Sequence, residues 1–500
     1  PAVTAVIKYA YASRFKILPV AVSSGKVIIA TAEPFVREWE YELGTMLKLR
    51  FERVIANPKT VSRFIDEFYA LSRSLDSAAS GGLMEPQPTL GNLEQLVELD
   101  KVGQPDADDQ HIIRIVDWIL QYAFEQRASD IHLEPRRESS RIRFRIDGVL
   151  HIVNEMPTPV LAAVVSRLKA LGRLDVIERR RPQDGRIKTK TPQGREIELR
   201  LSTMPTTFGE KLVTRIFDPE VLVKSMGELG FSDSDQRDWE AMVAQPHGML
   251  IVTGPTGSGK TTTLYSALKR LARPELNVCT IENPIELVDP QLNQMSVQHH
   301  LGLDFATGVR TLLRQDPDII MVGEIRDKET ADTAIQAALT GHLVLTSLHT
   351  NDAASSITRL LDLGLPPYLI KSAVLGVVAQ RLVRTLCEDC KVAGPISADH
   401  WKALTAPLRL DRPAKINHAV GCDECRGTGF RGRIGIYEMM RLSGALRELV
   451  TGATDVEKLR RQAFSSGMRP LRMSGAEKVK HGITTPEEVF SVIQDQPASN

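Results

Sequence analysis

The sequence predicts an α/β protein whose C-terminal half carries a mostly parallel sheet wrapped by helices. Three observations carry that prediction. From about Met226 onward, apolar runs of strand length (GMLIVTG, VCTIEN, DIIMVGE and HLVLTSLHT) alternate with helical patterns, which is the order that parallel strands with helical crossovers require. Over roughly 107 to 222 strands dominate, with one or two helices to cover them, an α+β arrangement. Residues 1–73 read as a small α/β module. The composition agrees: 500 residues, 42% hydrophobic and 25% charged, describe a globular chain long enough for about three domains of ~150 residues.

Taken in order, KILPVAV and KVIIATA are β-rich runs separated by Ser23, Ser24 and Gly25, a hairpin signal, and two helical stretches follow. From Ser74 to Asp106 the chain thins into SAASGG, EPQP and VGQPDADD, the composition of a flexible linker and the place for a domain boundary. Near Asp109, a residue able to cap it, an amphipathic helix begins, with Ile112, Ile113, Val116, Ile119, Leu120 and Ala123 at helical spacing. RIRFRIDGVLHIV, GRIKTK and REIELRLSTM then alternate as strands, the last two joined by a PQG turn. Residues 226–500 hold the alternating β/α pattern, a cysteine-bearing insert over 386–428 and a helical tail.

Charge and cysteine usage exclude several classes. With 63 Lys+Arg against 62 Asp+Glu, the net charge of +1 announces neither a nucleic-acid binder nor a membrane-surface binder. The local run Arg179 to Arg181 has no aromatics interleaved and the chain is only 5% aromatic, so a nucleic-acid translocase is disfavoured. No apolar run approaches the ~18 to 20 residues that span a bilayer, and the chain reads as cytosolic. Five cysteines exclude a disulfide-dense scaffold.

The sharpest local signal is Gly254, Pro255, Thr256, Gly257, Ser258, Gly259, Lys260 and Thr261, followed by Thr262. It stands directly after the apolar strand MLIVT and before TTTLYSALKRL. A strand–loop–helix of this kind lets backbone N–H groups wrap phosphates at a helix N-terminus. Lys260 adds a charge at the β and γ groups, and the Thr261 hydroxyl is placed to ligate Mg²⁺. A hydrolase also needs carboxylates for the metal's water shell and for the attacking water, and two strand ends offer them: Glu324, after DIIMVG, and Glu282 with Glu286 in TIENPIE. Gly323 stands where an Asp is more usual. Transition-state charge calls for arginine. Arg310 and Arg314, four apart on one helix face, Arg326 after the Glu324 strand, and Arg186 and Arg200 in the preceding region are candidates, although an arginine taken singly is ordinarily solvated. His342 and His349 flank LVLTSL; each is either a phosphate sensor or a satisfied structural histidine, and the residues alone leave both open.

Cys387 and Cys390 form C-E-D-C, and Cys422 and Cys425 form C-D-E-C. Two such knuckles can arrange four thiolates tetrahedrally around Zn²⁺, and four sulfurs leave no open position, so the metal is expected to be structural rather than catalytic. Cys279 has no partner and reads as a small buried hydrophobe.

Together GPTGSGKTTTLY, TIENPIE, RQDPDIIMVGEIRD and TGHLVLTSLHTND resemble the ATPases of type II secretion and type IV pilus assembly. ASDIHLEP, RIRFRIDGVL, RRPQDGRI and LSTMPT resemble that family's second N-terminal domain, and the first 73 residues its platform-docking domain. The resemblance implies a RecA-like ATPase domain with a zinc-binding insert, a PAS-like second N-terminal domain, and a homo-hexamer using ATP and Mg²⁺. It also implies peripheral attachment to the inner membrane through a bitopic platform protein's cytoplasmic domain and a polytopic platform protein. Lys260 and Thr261 match the nucleotide loop, Glu286 the catalytic glutamate, Glu324 the metal-side glutamate, and His342 and His349 the histidine box. Arg186, Arg200, Arg310, Arg314, Arg326 and Arg433 fall where family arginines gather around nucleotide or a subunit boundary. The four cysteines resemble secretion and pilus-extension members rather than retraction members. AQRLVRTLC and RGRIGIYE read closest to type II secretion, with pilus assembly near. Asn283 departs from the family's usual Asp, which implies slower turnover or weaker metal binding, or a scaffold that binds ATP without cycling.

Overall fold

The computed structural model describes residues 7–69 apart from 8, 24–25, 48–49, 59, 63 and 66–68, residues 110–217 apart from 192–193 and 195, and residues 224–493 apart from 407–409. The linker expected over 74–106 and the capping Asp109 lie outside these residues. The chain divides into two compact units, 1–218 and 219–500.

The first unit holds two sheets. β1 (Ile17–Ser23) pairs antiparallel with β2 (Lys26–Thr31), as the hairpin signal predicts, and β2 pairs parallel with β3 (Arg50–Ile55). Ile17, Val27, Ile29 and Trp39 are buried in its core. Of the two helical stretches expected, the first is the helix Glu38–Leu47 and helical residues recur at 60–62 and 64–65, with the unexpected strand β3 between them. RFERVI lacks the unbroken apolar run of a central strand because β3 is an edge, with Ile55 72% exposed.

The second sheet contains β4 (Asp130–Glu134), β5 (Ser139–Ile146), β6 (Val149–Pro157), β7 (Gln183–Lys190), β8 (Glu196–Thr206) and β9 (Gly209–Phe217). They are antiparallel throughout, in the order β6-β5-β4-β9-β8-β7. Alternate residues such as Ile142, Phe144, Leu199 and Leu201 join one core with Val116 and Ile119 of the helix Gln110–Glu125 and Val164 and Leu168 of the helix Thr158–Leu171. The other face carries arginines, the arrangement that a period of two produces when one face is covered.

The second unit is built on β10 (Gly248–Thr253), β11 (Val278–Glu282), β12 (Asn293–Ser296), β13 (Ile319–Val322), β14 (Leu343–Leu348) and β15 (Val374–Leu386). A two-stranded excursion of β16 (Val392–Gly394) and β17 (Ile416–His418) follows, and β18 (Phe430–Arg441) then returns. The sheet order is β12-β11-β13-β14-β10-β15-β18, parallel except for the antiparallel edge β18. Every residue of β10, β11, β13 and β14 is buried, which is why these strands are written as continuous apolar runs. Asp304, Asp327 and Asp352 each accept a backbone N–H at the start of a helix, ending the preceding loop at a fixed residue. Parallel pairing gathers the C-terminal ends of β10, β11, β13 and β14 on one edge of the sheet, where α/β proteins place their sites. Among the described residues no helix is long and apolar enough to cross a membrane.

Candidate active site

The loop 254–259 leaves β10 and enters the helix Lys260–Leu271. Gly254 has φ +152°, and a Cβ there would lie 2.5 Å from the Gln380 carbonyl oxygen and 2.6 Å from Ser258 Oγ. Gly257 and Gly259 also have positive φ, so the loop's curvature needs residues without a Cβ. Ser258 Oγ is buried without a hydrogen-bond partner, and Thr261 is exposed with no side-chain partner among the described residues. A loop that ends in a helix N-terminus and carries an orphaned hydroxyl fits a phosphate, and the free Thr261 hydroxyl fits a metal at that phosphate.

Lys260 is 9% exposed and folds back onto the loop, donating to the carbonyls of Gly254 at 2.7 Å and Pro255 at 3.1 Å. Burial depresses its ammonium to about 8, against the pull of Glu324, with Arg381 adding to the depression. His349 Nδ1 lies 3.5 Å from Lys260 Nζ, while His349 Nε2 lies 3.1 Å from Glu324 Oε2. That pairing assigns the proton to Nε2 and leaves Nδ1 to accept from the lysine. Arg326 Nε closes the chain 2.7 Å from the same Glu324 oxygen. Lys260, His349, Glu324 and Arg326, from the ends of three strands, thus converge.

At the end of β11, Glu282 is 3% exposed and both of its oxygens are engaged. Oε2 accepts from the Tyr265 hydroxyl at 2.6 Å and Oε1 from Thr280 at 2.6 Å and Gln294 at 3.3 Å. Glu286, four residues on, is half-buried, and its backbone N–H points to Glu282 Oε2 at 3.4 Å. Asn283 is exposed.

Other candidates lie elsewhere. His342 precedes β14 at the edge opposite the loop: its carbonyl accepts from Gly248 N–H, and its Nδ1 lies 2.9 Å from the Ala337 carbonyl. The six residues of β14 separate it from His349, about 20 Å at ~3.3 Å per residue. Within one chain the two histidines therefore stand at opposite ends of β14. Arg310 bonds Glu329 and Thr307, and Arg314 bonds the Arg310 carbonyl; both are exposed. Arg433 is exposed on β18, opposite Arg384. In the first unit Arg186 and Arg200 are direct cross-strand neighbours that share Glu198, at 3.7 and 3.1 Å. Arg200 also lies over the Phe217 ring.

Several residues beside the loop carry no mark in a motif. Gln380 holds Thr263 at 2.8 Å, and the buried Arg381 donates to the Asn351 carbonyl and side chain, tying the segment after His349 to the strand beside the loop. A Gln–Arg pair inside the apolar run VLGVVAQRLV is the available sequence signal, because buried polar groups are retained when they have partners.

The four insert cysteines come together. Their sulfurs all lie within 4.8 Å of one another, with Cys387–Cys422 at 3.8 Å and Cys390–Cys425 and Cys422–Cys425 at 3.7 Å. Tetrahedral Zn–S bonds of about 2.3 Å place sulfurs about 3.8 Å apart, so the cluster fits zinc. Burial opposes ionisation of Cys425, but the N–H groups of Cys422 and Gly429 hold its thiol down to about 6. Cys279 is buried in β11, as expected.

The fold and this loop define an ATP hydrolase of RecA-like architecture. Residues 105–491 match the type II/IV secretion system protein family and residues 1–75 match the MshEN domain. The chain is 53% identical over 98% of its length to the type IV pilus assembly ATPase TfpB of Acinetobacter baylyi, covering 84% of that relative. It is 43% identical over 85% of its length to the type II secretion system protein E of Pseudomonas aeruginosa, covering 85% of it. The crystal structure of the pilus retraction motor PilT with bound ADP superposes with a TM-score of 0.54 at 25% identity, over 76% of this chain and 97% of that one. The chain belongs to the type II/IV secretion system protein family.

Proposed function

We propose that this chain is a magnesium-dependent, hexameric motor that couples ATP hydrolysis to filament growth at an inner-membrane platform. The observation that carries this reading is the convergence of Lys260, His349 and Glu324 beside a loop with an orphaned Ser258 hydroxyl. Incoming phosphate would draw Lys260 away from the Gly254 and Pro255 carbonyls. His349 would then follow the lysine while Glu324, itself held by Arg326, keeps its far nitrogen. Glu286 would orient or deprotonate the attacking water. Thr261 and Glu324 would hold Mg²⁺ and its waters, and the ion would neutralise charge on the β and γ phosphates.

Arg186 and Arg200 support an interface role. They stand directly opposite each other on β7 and β8 with Glu198 beside both, which presents two guanidinium groups side by side on one face of the sheet. His342, Arg310, Arg314 and Arg433 would act across a subunit boundary, a reading supported by the bonds of His342, Arg310 and Arg314 to partners outside the loop of their own chain. In this reading 1–73 docks on the platform, 74–106 tethers it, 107–222 closes on the ATPase domain 226–500 at each cycle, and 386–428 is a zinc module.

Of the two systems, pilus extension is favoured by 53% identity to a pilus assembly ATPase along nearly the whole chain. Type II secretion is the second reading, supported by 43% identity to a secretion protein E and by AQRLVRTLC. Complementation separates them. Expression in a host lacking its pilus assembly ATPase should restore surface pili. Restored protein export in a host lacking its secretion ATPase, with no pili in the first, would reverse the order.

A further inference from the structure

Tyr265 lies on the helix that begins with Lys260, five residues after it and 2% exposed. Its hydroxyl donates to Glu282 Oε2 at 2.6 Å and accepts from Leu287 N–H at 3.4 Å and Gln294 Nε2 at 3.2 Å. Gln294, on β12, donates also to the Leu287 carbonyl at 2.7 Å and accepts the Asp289 N–H at 2.8 Å. The excursion 283–289, which carries Glu286 out from β11, is therefore fastened at both ends. Glu282 takes the Glu286 N–H at its start, and Tyr265 with Gln294 takes Leu287 and Asp289 at its end. One hydroxyl on the phosphate-loop helix connects the two fastenings.

We infer that Tyr265 is a positioning residue for hydrolysis, fixing the Glu286 segment relative to the phosphate loop through Glu282 and Gln294. This rests on the reading of Glu286 as the residue that acts on water. A shift of the helix when Lys260 and Thr261 engage nucleotide is carried to Glu286 through hydrogen bonds at 2.6 to 3.4 Å. Glu282 then serves the same clamp, with its oxygens committed to Tyr265, Thr280 and Gln294.

The test measures ATP turnover and affinity for a fluorescent ATP analogue in the full chain, for wild type, Tyr265→Phe, Gln294→Met, Glu282→Gln, Glu286→Gln and the double variant Tyr265→Phe/Glu282→Gln. A small misplacement of a catalytic group costs ten- to a hundredfold in rate. Tyr265→Phe should therefore lower kcat by at least about tenfold while the dissociation constant stays within about twofold. Gln294→Met should do the same to a smaller degree. The double variant should lose less than the product of the two single losses, because both changes act on the shared Tyr265–Glu282 bond. If Glu286→Gln is inactive while Tyr265→Phe keeps wild-type kcat, or loses kcat and affinity together, the inference is overturned and the proposed function stands. If Glu286→Gln retains wild-type turnover, the role of Glu286 falls, and this inference with it.

Discussion

The buried Lys260 makes nucleotide affinity depend on pH in a direction the structure fixes. Without nucleotide, burial holds its ammonium near 8, with only carbonyls, His349 and the pull of Glu324 to support the charge. A polyphosphate beside it restores the charged form, so binding above pH 8 must take up a proton. Affinity is then level well below 8 and falls as pH rises through it, by up to tenfold per unit, until the bound-state value is reached. Between pH 7 and 9 the protonated fraction falls about tenfold, equal to about 1.4 kcal/mol of binding free energy. Titration of a fluorescent ATP analogue with Mg²⁺ at constant ionic strength measures this directly. Lys260→Arg, whose guanidinium keeps its proton throughout, should bind more weakly but without the slope. A wild-type dissociation constant that is flat from pH 7 to 9, or an arginine variant with the same slope, would refute the reasoning.

Two further outcomes concern the rest of the second unit. Protein purified without chelator should contain one zinc per chain, and Cys425→Ser should lose the metal and melt at least roughly 5 °C lower; metal-free wild type with unchanged melting would contradict the cluster's assignment. Glu438, buried on β18, has its carboxyl pushed up to about 7 by burial, with Asp352 adding to the push and the Ala353 N–H and Arg460 opposing it. The folded state thus holds this proton where the unfolded chain has released it, so the cost is absent below about pH 4.5 and full above pH 7. Glu438→Gln should raise unfolding free energy at pH 8 by up to about 3 kcal/mol and change it little at pH 5, read by chemical denaturation at both values.

What the sequence made legible were features whose meaning lies within a few residues of each other. The phosphate loop was readable because strand, glycines, lysine and helix are contiguous from Met249 to Leu271. The cysteine knuckles were readable because Cys-x-x-Cys is a local turn. Parallel strands could be placed because burial on both faces leaves unbroken apolar runs. The edge strand β3 was not visible, since charged residues interrupt the apolar pattern of RFERVI. His342 and His349 were readable as flanking a strand, and the length of β14 is what lies between them. Glu282 looked like a free strand-terminal acid because the partners that occupy its oxygens, Tyr265 and Gln294, come from a helix before it and a strand after it. Which arginines meet nucleotide was equally hidden, because Arg186 and Arg200 lie in the first unit and the loop in the second.

The most direct test of the central claim is steady-state ATP hydrolysis with Mg²⁺ by wild type, Lys260→Ala and Glu286→Gln, with mass in solution recorded alongside. The account predicts turnover by the assembled wild type and a fall of at least about a hundredfold in both variants, with Glu286→Gln still binding ATP. A wild-type hexamer that binds ATP tightly and does not hydrolyse it, or a Glu286→Gln variant with undiminished turnover, would contradict it.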